Sequence, residues 1–458
     1  MERDCMKSLE AWRENPRRKP LLLLGARQVG KTWIARAFAK KHYRWMAYVR
    51  FDKDRALRAS FEQDFNIPRL LADIQLACGV EVQPGETLII LDEIQECSAA
   101  LMSLKYFCEE AREYHVIAAG SLLGVELQHG VGFPVGKVDR LMLHPLSYTE
   151  FLTATGHGRF VELLRKRDWE TVMRFRDTYE NLLRYYYYVG GMPEAVQAYL
   201  DTGQFARVRQ VQLALLRDYR ADFSKHAPVE EKARLASVWD SVPVQLADNR
   251  RFVLAEVEKG AKSAAFRAPI EWLRDAGLLH AAYNVRQPEL PLAGNRDIQF
   301  RLYHLDVGLL AAQARLDSAV LVEKNGVFGQ FKGALTEQYV HQQLLAECGA
   351  DSYFWLAEKA QAEVDFLLET ARGVVPLEAK AELNLKAKSL RSYCRRFSPH
   401  KVARVSMHGY AVNPYSYEDP AGNSRECPLV DLPLFGISQV MAELGEGQGS
   451  GAGNMAGA

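Results

Sequence analysis

A glycine-rich loop near the start of the chain carries the residue types that bind the phosphates of a nucleotide. Four leucines, 21–24, lead directly into the sequence GARQVGKT at 25–32, and an amphipathic, helix-like stretch follows. Glycines let the backbone curl so that its N–H groups surround phosphate oxygens, and the N-terminus of a helix adds positive potential. Lys31 can reach the β and γ phosphates, and the Thr32 hydroxyl can bind Mg²⁺. An ordinary glycine-rich turn rarely lies between a strand and a helix in this way, so we predict a nucleoside triphosphate site. The residues expected to contact the nucleotide are Gly25, Ala26, Arg27, Gln28, Val29, Gly30, Lys31, Thr32 and Trp33.

Two adjacent carboxylates end a second apolar stretch, TLIILDE at 87–93. At the carboxyl end of a parallel strand, Asp92 would lie beside Thr32 and hold Mg²⁺ through water. Glu93 would then be in position to polarise the water that attacks the γ-phosphate. The alternative is a strand that merely ends at a charged pair, but the upstream loop favours catalysis. Because nucleotide binding alone does not require Glu93, its presence predicts hydrolysis of ATP.

Five short apolar stretches, separated by helix-length segments, predict the sheet that positions these residues. The predicted strands are 21–24, 45–51, 87–92, 115–120 and 139–144. Alternating strands and helices are typical of an α/β fold with a mostly parallel sheet, which binds ligands at the carboxyl ends of its strands. Ser121 follows the fourth strand, so it can contact the γ-phosphate or the attacking water. It can equally cap the next helix, and the two roles are compatible.

The middle of the chain is expected to be largely helical. Residues 158–228 have a helical pattern and are predicted to form a lid over the nucleotide. Between 229 and 312, three helix-like segments precede a predicted β-hairpin, which is the order of elements in a winged helix. The third helix carries Arg267 and Arg274. Winged helices bind DNA or mediate protein contacts, and two arginines alone do not decide between these functions.

A second set of charged residues lies in a predicted β-hairpin near the C-terminus. Asp365 is in its first strand, and Glu378 and Lys380 lie two residues apart in its second. The two-residue period of a strand puts Glu378 and Lys380 on one face, where burial is costly unless these groups have a function. Asp365 and Glu378 can bind a divalent cation, with Glu337 from an upstream helix as a further carboxylate, and Lys380 can activate water for phosphodiester attack. The alternative is a surface hairpin with a salt bridge.

Seven basic residues follow this hairpin, and no acidic residue interrupts them between Leu383 and Arg404. A stretch of one sign beside a carboxylate pair suits a polyanionic backbone, so 386–404 is predicted to bind DNA. A solvated helix face is the alternative. The basic residues are Lys386, Lys388, Arg391, Arg395, Arg396, Lys401 and Arg404.

Composition predicts a cytoplasmic protein of two to four domains. The chain has 458 residues, of which 58 are basic and 57 acidic, so its net charge identifies no partner. No apolar run approaches the roughly 18 residues that span a bilayer. The first residues lack the pattern of a signal peptide. The seven cysteines are scattered and contain no C-x-x-C pair, which indicates neither a zinc site nor a disulfide framework.

The chain resembles the prokaryotic AAA-type ATPases that carry a C-terminal DUF4143 domain. The resemblance extends to about residue 437. It is carried by GARQVGKT at 25–32, LDEIQ at 91–95, AGS at 119–121, LHPLSYTEF at 143–151, GGMPEAV at 190–196, YHLDVGL at 303–309, EVDF at 363–366 and EAK at 378–380. One departure is Ala119, where the family usually has a threonine before Gly-Ser, so one hydroxyl near the nucleotide is missing.

This resemblance implies an order of domains. A P-loop AAA-like core (1–157) is followed by the helical lid (158–228) and a winged-helix-like domain (229–312). An α/β restriction-endonuclease-like domain of the PD-(D/E)xK type (313–437) and a disordered tail (438–458) complete the chain.

The sequence therefore predicts a Mg²⁺-dependent ATPase coupled to a nuclease-like module that acts on DNA. The alternative is a regulatory switch, in which ATP binding sets a conformation and the C-terminal module grips nucleic acid or a protein without cleaving it. AAA-like sites are generally completed by an arginine from a neighbouring subunit, so we expect a homo-oligomer. Arg140, Arg217 and Arg220 are candidates that the sequence cannot rank.

Overall fold

The computed structural model of the chain describes residues 1–120, 136–248, 251–260, 263–318, 329–357, 362–381 and 388–445. The described residues form two units. The first contains Met1–His144 together with Asp275–Leu278, and the second contains Pro145–Arg274 and the residues from Leu279 onward.

The first unit is built on a five-stranded parallel sheet with strand order β2-β3-β4-β1-β5. The strands are β1 (Leu21–Leu24), β2 (Trp45–Arg50), β3 (Thr87–Asp92), β4 (His115–Ala119) and β5 (Asp139–Met142). The helices are α1 (Cys5–Glu14), α2 (Lys31–His42), α3 (Arg55–Gln63), α4 (Ile67–Cys78) and α5 (Ser98–Glu110). Every residue of β3 and β4 is buried, as expected for central strands covered on both faces. The predicted α/β fold with a parallel sheet is confirmed.

The strand order brings the two predicted nucleotide-binding segments to the same edge of this sheet. Strand β1 ends where the glycine-rich loop begins, and α2 begins at Lys31, the seventh residue of that loop. The core face of α2 contains Ile34, Ala35 and Phe38, a spacing that gives one apolar stripe. Strand β4 lies between β1 and β3, so the ends of all three strands face the loop.

The second unit combines helices with an eight-stranded mixed sheet of order β12-β13-β11-β10-β9-β8-β6-β7. Its strands are β6 (Leu279–Val285), β7 (Arg296–His304), β8 (Tyr353–Leu356), β9 (Glu363–Thr370), β10 (Gly373–Ala379), β11 (Val402–Ser406), β12 (Ala411–Glu418) and β13 (Ser424–Pro433). Its helices are α6 (Tyr148–Ala154), α7 (Gly158–Lys166), α8 (Trp169–Arg174), α9 (Arg176–Val189), α10 (Pro193–Thr202), α11 (Phe205–His226), α12 (Lys232–Asp248), α13 (Leu254–Val257), α14 (Ser263–Asp275), α15 (Val307–Gln313), α16 (Gly329–Cys348), α17 (Lys388–Phe397) and α18 (Val440–Glu443).

The hairpin predicted as the wing of a winged helix is β6–β7, which is antiparallel with Tyr283 opposite Phe300. Strand β6 also pairs in parallel with β8, where Tyr283 lies opposite Tyr353. The hairpin is therefore the edge of the eight-stranded sheet, and the boundary predicted after residue 312 runs through one continuous sheet.

A buried carboxylate joins two glycine-containing motifs of the second unit. Asp306 accepts hydrogen bonds from Gly191 N at 2.6 Å and from Leu309 N at 3.0 Å. A Cβ on Gly190 would lie 2.1 Å from Asp306 Oδ2, so only glycine fits there. Burial raises the pKa of Asp306 to about 6, while these donors lower it. The GGMP and HLDVG sequences are thus explained by packing.

A membrane span requires a helix that is both long and apolar. None of the helices in the described ranges combines the necessary length with the necessary apolarity.

Candidate functional site

The glycine-rich loop has a conformation that depends on Gly25. Its φ is 133°, and a Cβ there would lie 2.2 Å from the carbonyl oxygen of Leu143. Two more loop residues, Gln28 at 64° and Gly30 at 99°, also have positive φ. Gly30 is the N-cap of α2, so the loop leads straight into the helix N-terminus. This arrangement of curled backbone and helix N-terminus can bind phosphate.

Lys31 lies over the loop and is buried. Its Nζ donates to the carbonyl oxygens of Gly25 at 2.8 Å and Ala26 at 2.7 Å. Burial lowers the pKa of Lys31 to about 8, although the charges of Glu93 and Asp92 raise it. The ammonium group is therefore held within the loop that is predicted to cradle the phosphates.

Asp92 and Thr32 are brought together, although 60 residues separate them. Thr32 Oγ1 donates to Asp92 Oδ2 at 2.9 Å, and the Tyr48 hydroxyl donates to the same oxygen at 2.7 Å. Asp92 Oδ1 accepts from Glu93 N at 3.1 Å. A hydroxyl and a carboxylate at this distance fit the oxygen preference of Mg²⁺ and could together hold that ion.

Glu93 is held in an unusual backbone conformation directly after β3. Its φ of 51° is in the left-handed region, which non-glycine residues occupy at a cost and which is enriched at active sites. Its carboxylate accepts from Gln95 Nε2 at 2.6 Å. A carboxylate fixed beside Asp92 and Lys31 can orient and deprotonate water.

Sequence reasoning missed two residues of this site. Arg3 is buried and donates to Val29 O at 3.1 Å and to His144 O at 2.6 Å, so it holds the loop from outside. No local pattern indicates Arg3. Tyr48 lies on β2, and only the strand order reveals that it is close to Asp92.

Trp33 and Ser121 were also predicted to contact the nucleotide. Trp33 is on α2 with 51% of its surface exposed. Ser121 lies outside the described residues.

The structure brings Asp365, Glu378 and Lys380 together in the second unit. Lys380 Nζ forms an ion pair with Glu378 Oε1 at 2.5 Å. Asp365 Oδ2 accepts from Ala379 N at 2.9 Å. Burial raises the pKa of Glu378, and the charge of Asp365 raises it further, while Lys380 lowers it. As the strand period requires, Glu378 and Lys380 share a face.

Glu337 is the third predicted metal ligand. It is buried on α16, and its Oε2 accepts from Arg301 Nη1 at 3.3 Å. Throughout the part of the chain that the structure describes, no three His, Cys, Asp or Glu side chains are arranged to hold a metal ion. An arginine thus holds Glu337, and metal binding by Asp365, Glu378 and Glu337 stays a prediction.

The basic stretch divides into an exposed and a buried part. Four of its residues are exposed on α17, and the opposite face of that helix packs inward through Leu390, Tyr393 and Cys394. The exposed residues are Lys388, Arg391, Arg395 and Arg396. Lys386 lies outside the described residues.

Two residues of that stretch differ from the prediction. Lys401 Nζ donates to Leu444 O at 3.2 Å. Arg404 is buried on β11 and forms a two-pronged ion pair with Asp431 at 2.5 and 2.8 Å. The prediction that Arg404 contacts DNA is wrong, because its guanidinium is enclosed within the sheet region.

Three of the arginines singled out in the middle of the chain are engaged in local interactions. Arg267 is paired with Glu271 at 3.0 Å, and Arg274 lies over the ring of Tyr283. Arg220 forms an ion pair with Asp240 at 2.8 Å.

Comparison with known families assigns three regions of the chain. Residues 17–152 match the family described as AAA domain. Residues 180–320 and 332–430 match two domains of unknown function, DUF8612 and DUF4143. The first match covers β1 to β5 and every nucleotide-site residue discussed above except Arg3, so this region is an AAA-type P-loop ATPase domain.

Three solved structures match this chain at low sequence identity, and each match covers 68% of this chain. The Walker-type ATPase PABY2304 of Pyrococcus abyssi is 16% identical, with 94% of that chain covered and a TM-score of 0.41. The Aeropyrum pernix ORC1 protein in complex with DNA is 12% identical, with 90% covered and a TM-score of 0.26. Cdc6p from Pyrobaculum aerophilum is 14% identical, with 92% covered and a TM-score of 0.23. A search of curated proteins finds no match.

Proposed function

We propose that the AAA domain hydrolyses ATP to ADP and phosphate with Mg²⁺, and that hydrolysis is coupled to a C-terminal module that acts on nucleic acid. The observation that carries the first part is the hydrogen bond between Thr32 Oγ1 and Asp92 Oδ2 at 2.9 Å. It joins the glycine-rich loop to the carboxylate strand, and Glu93 is the next residue. Phosphate binding, metal binding and water activation thus meet at one edge of the sheet.

The residues have separate roles in this proposal. Backbone N–H groups of the loop and Lys31 bind the β and γ phosphates. Thr32 and Asp92 would hold Mg²⁺. The ion, when bound, neutralises charge on the phosphate oxygens. Ser121 keeps its predicted role as a contact to the γ-phosphate.

Glu93 would act on the attacking water. It accepts a proton as the water oxygen bonds to the γ-phosphorus, and the bond from that phosphorus to the β–γ bridging oxygen breaks with its electron pair leaving on ADP. Gln95 supports this role, since its Nε2 donates to Glu93 Oε2 and fixes the carboxylate.

Two substitutions test the proposal by separating binding from hydrolysis. Lys31→Ala should abolish nucleotide binding, because Lys31 contacts the phosphates before reaction. Glu93→Gln should keep binding and slow hydrolysis by at least about 10²-fold, the usual effect of losing a positioned base. Glu96→Gln, an exposed glutamate three residues further on, is the control and should hydrolyse normally. Equal hydrolysis by Glu93→Gln and the parent would remove Glu93 from the mechanism.

The coupling to nucleic acid is supported by the exposed basic face of α17 and the nearby Asp365, Glu378 and Lys380. An ATP-dependent switch that grips without cleaving is the second candidate. It is favoured by the arginine bound to Glu337, which removes a carboxylate from any metal site.

Neutralising Lys388 and Arg391 should weaken DNA binding and reduce its salt dependence by about one unit of slope for each phosphate that is no longer neutralised. Neutralising Arg17, an exposed arginine outside α17, is the control and should leave DNA binding unchanged. Unchanged affinity and salt slope would remove α17 from the DNA interface.

A homo-oligomer and a cytoplasmic location are part of the same proposal. A P-loop surface leaves the γ-phosphate open to water, and an arginine from a second copy would close it. The seven cysteines are free thiols, which supports a reducing compartment. Sedimentation with a non-hydrolysable ATP analogue should reveal an assembly. A monomer at every concentration with full ATPase activity would contradict this part.

A further inference from the structure

A buried arginine contacts three residues of the C-terminal carboxylate cluster, defined here as Glu337, Glu363, Asp365 and Glu378. Arg301 is on β7 and has no exposed surface. Its Nη1 donates to Glu337 Oε2 and to the main-chain oxygen of Asp365, both at 3.3 Å. Its Nη2 forms an ion pair with Glu363.

Two aromatic residues complete the surroundings of this guanidinium. Arg301 Nη1 also donates to the Tyr303 hydroxyl at 3.3 Å, and the guanidinium carbon lies 4.4 Å from the ring centre of Phe354. A buried cation is tolerated when carboxylates and hydrogen-bond acceptors surround it, and an aromatic face adds further attraction. These surroundings therefore stabilise the buried positive charge of Arg301.

The charges of the cluster call for such a positive charge. Glu337 and Glu363 are paired with one guanidinium, and the charges of Asp365 and Glu378 repel each other. Carboxylates that repel one another take up protons or bind a cation unless a positive charge lies beside them. A guanidinium is permanently charged in proteins, so it supplies the neutralising charge under all ordinary conditions. Lys380 adds a second positive charge through Glu378.

Three carboxylate oxygens of the cluster are already engaged by other groups of the protein. Glu337 is bound by Arg301, Asp365 Oδ2 by Ala379 N, and Glu378 Oε1 by Lys380. Glu378 Oε2 is buried and has no hydrogen-bond partner in the described structure. The positive charges of Arg301 and Lys380 beside these oxygens also oppose the entry of a divalent cation.

We infer that the C-terminal carboxylate cluster uses the guanidinium of Arg301 as its own cation and does not recruit the divalent metal of a PD-(D/E)xK nuclease. The module then holds its polyanionic partner without cutting it. The inference concerns the second part of the proposed function and does not depend on ATP hydrolysis.

The test is a Mn²⁺ titration of the full chain, followed by electron paramagnetic resonance without nucleotide. All proteins carry Asp92→Asn, which removes the predicted metal residue of the ATPase site, so the result is independent of that site. The parent of this series should have no saturable Mn²⁺ site. Arg301→Ala should gain one site that binds at least about tenfold more tightly than any binding to the parent, because it frees carboxylates for a hard cation.

Three further variants make the outcome specific. Adding Glu337→Gln to Arg301→Ala should abolish the gained site. Arg301→Lys, which keeps the charge, should gain none. Arg425→Ala, which removes an exposed arginine from its ion pair with Asp419, is the control and should also gain none. If Arg301→Ala does not fold, the titration of the parent decides alone.

Two results would overturn the inference. One is a saturable Mn²⁺ site in the parent that is lost with Asp365→Asn or Glu378→Gln. Mn²⁺-dependent DNA cleavage with the same losses would have the same meaning. The other is a folded Arg301→Ala protein that gains no site.

Discussion

ATP binding should be accompanied by proton uptake at alkaline pH, because of the environment of Lys31. Burial lowers the pKa of this ammonium to about 8 in the protein without nucleotide. Phosphate binding favours the protonated form, so ATP should raise that pKa. At about pH 9, roughly nine in ten molecules would lack the Lys31 proton before binding, and ATP affinity should fall about tenfold per pH unit from there.

The sign of the effect follows from which state holds more protons. Above the lowered pKa, the complex keeps a proton on Lys31 that the protein alone has released, so binding takes up a proton and weakens as pH rises. Uptake should be about 0.5 proton at about pH 8 and about 0.9 at about pH 9. ATP itself is fully ionised in this range and contributes little.

Calorimetry in buffers with different ionisation enthalpies measures this uptake directly. The parent with a non-hydrolysable ATP analogue is used, because no hydrolysis then disturbs the binding heat and the charge of Glu93 keeps its effect on the pKa of Lys31. Lys31→Arg is permanently charged and should take up no proton, even if it binds ATP less tightly. Lys53→Arg, an exposed lysine, should behave as the parent. Equal affinity and no uptake from about pH 7.5 to about pH 9.5 would refute the reasoning.

Three further substitutions probe the residues around the loop. Gly25→Ala should lower the free energy of unfolding by roughly 3 kcal/mol or more in urea, since its Cβ would meet a carbonyl oxygen. Gly79→Ala, where φ is also positive but the space is open, should cost only about 1–2 kcal/mol, and equal losses would contradict the clash. Arg3→Met should cost about 2 kcal/mol in the same assay and weaken ATP binding, whereas exposed Arg17→Met should change stability by less than about 0.5 kcal/mol. Tyr48→Phe should raise the Mg²⁺ concentration needed for half-maximal ATPase activity about tenfold, with recovery at high Mg²⁺, because its hydroxyl orients Asp92. An unchanged Mg²⁺ dependence would show that Tyr48 has no such role.

The sequence was sufficient for the features that depend on local pattern. The five strands of the first unit are short apolar runs, and their carboxyl ends meet because parallel strands run in the same direction. The contact between Thr32 and Asp92 follows from that rule, so two segments far apart in the chain could be paired in advance. The sequence also predicts the antiparallel hairpin of β9 and β10.

The rest depends on neighbours that no local pattern identifies. Arg3, near the start of the chain, donates to Val29 O. Arg301 lies on β7, a strand of the hairpin predicted as a wing, and donates to Glu337. The residues around Arg404 do indicate that this arginine is buried. It lies in VARVS, an apolar strand, so strand burial rather than the basic run decided its position.

The continuity of the eight-stranded sheet has a practical and evolutionary consequence. The two domains of unknown function are recognised as separate sequence families, yet β6 and β8 pair across the interval between them. A fragment that begins after residue 320 would expose the backbone edge of β8, a strand of Tyr, Phe, Trp and Leu, and would invite aggregation. It would also leave Arg301 behind, and with it the counter-charge of its carboxylates. These two families should therefore be inherited, expressed and exchanged as one piece.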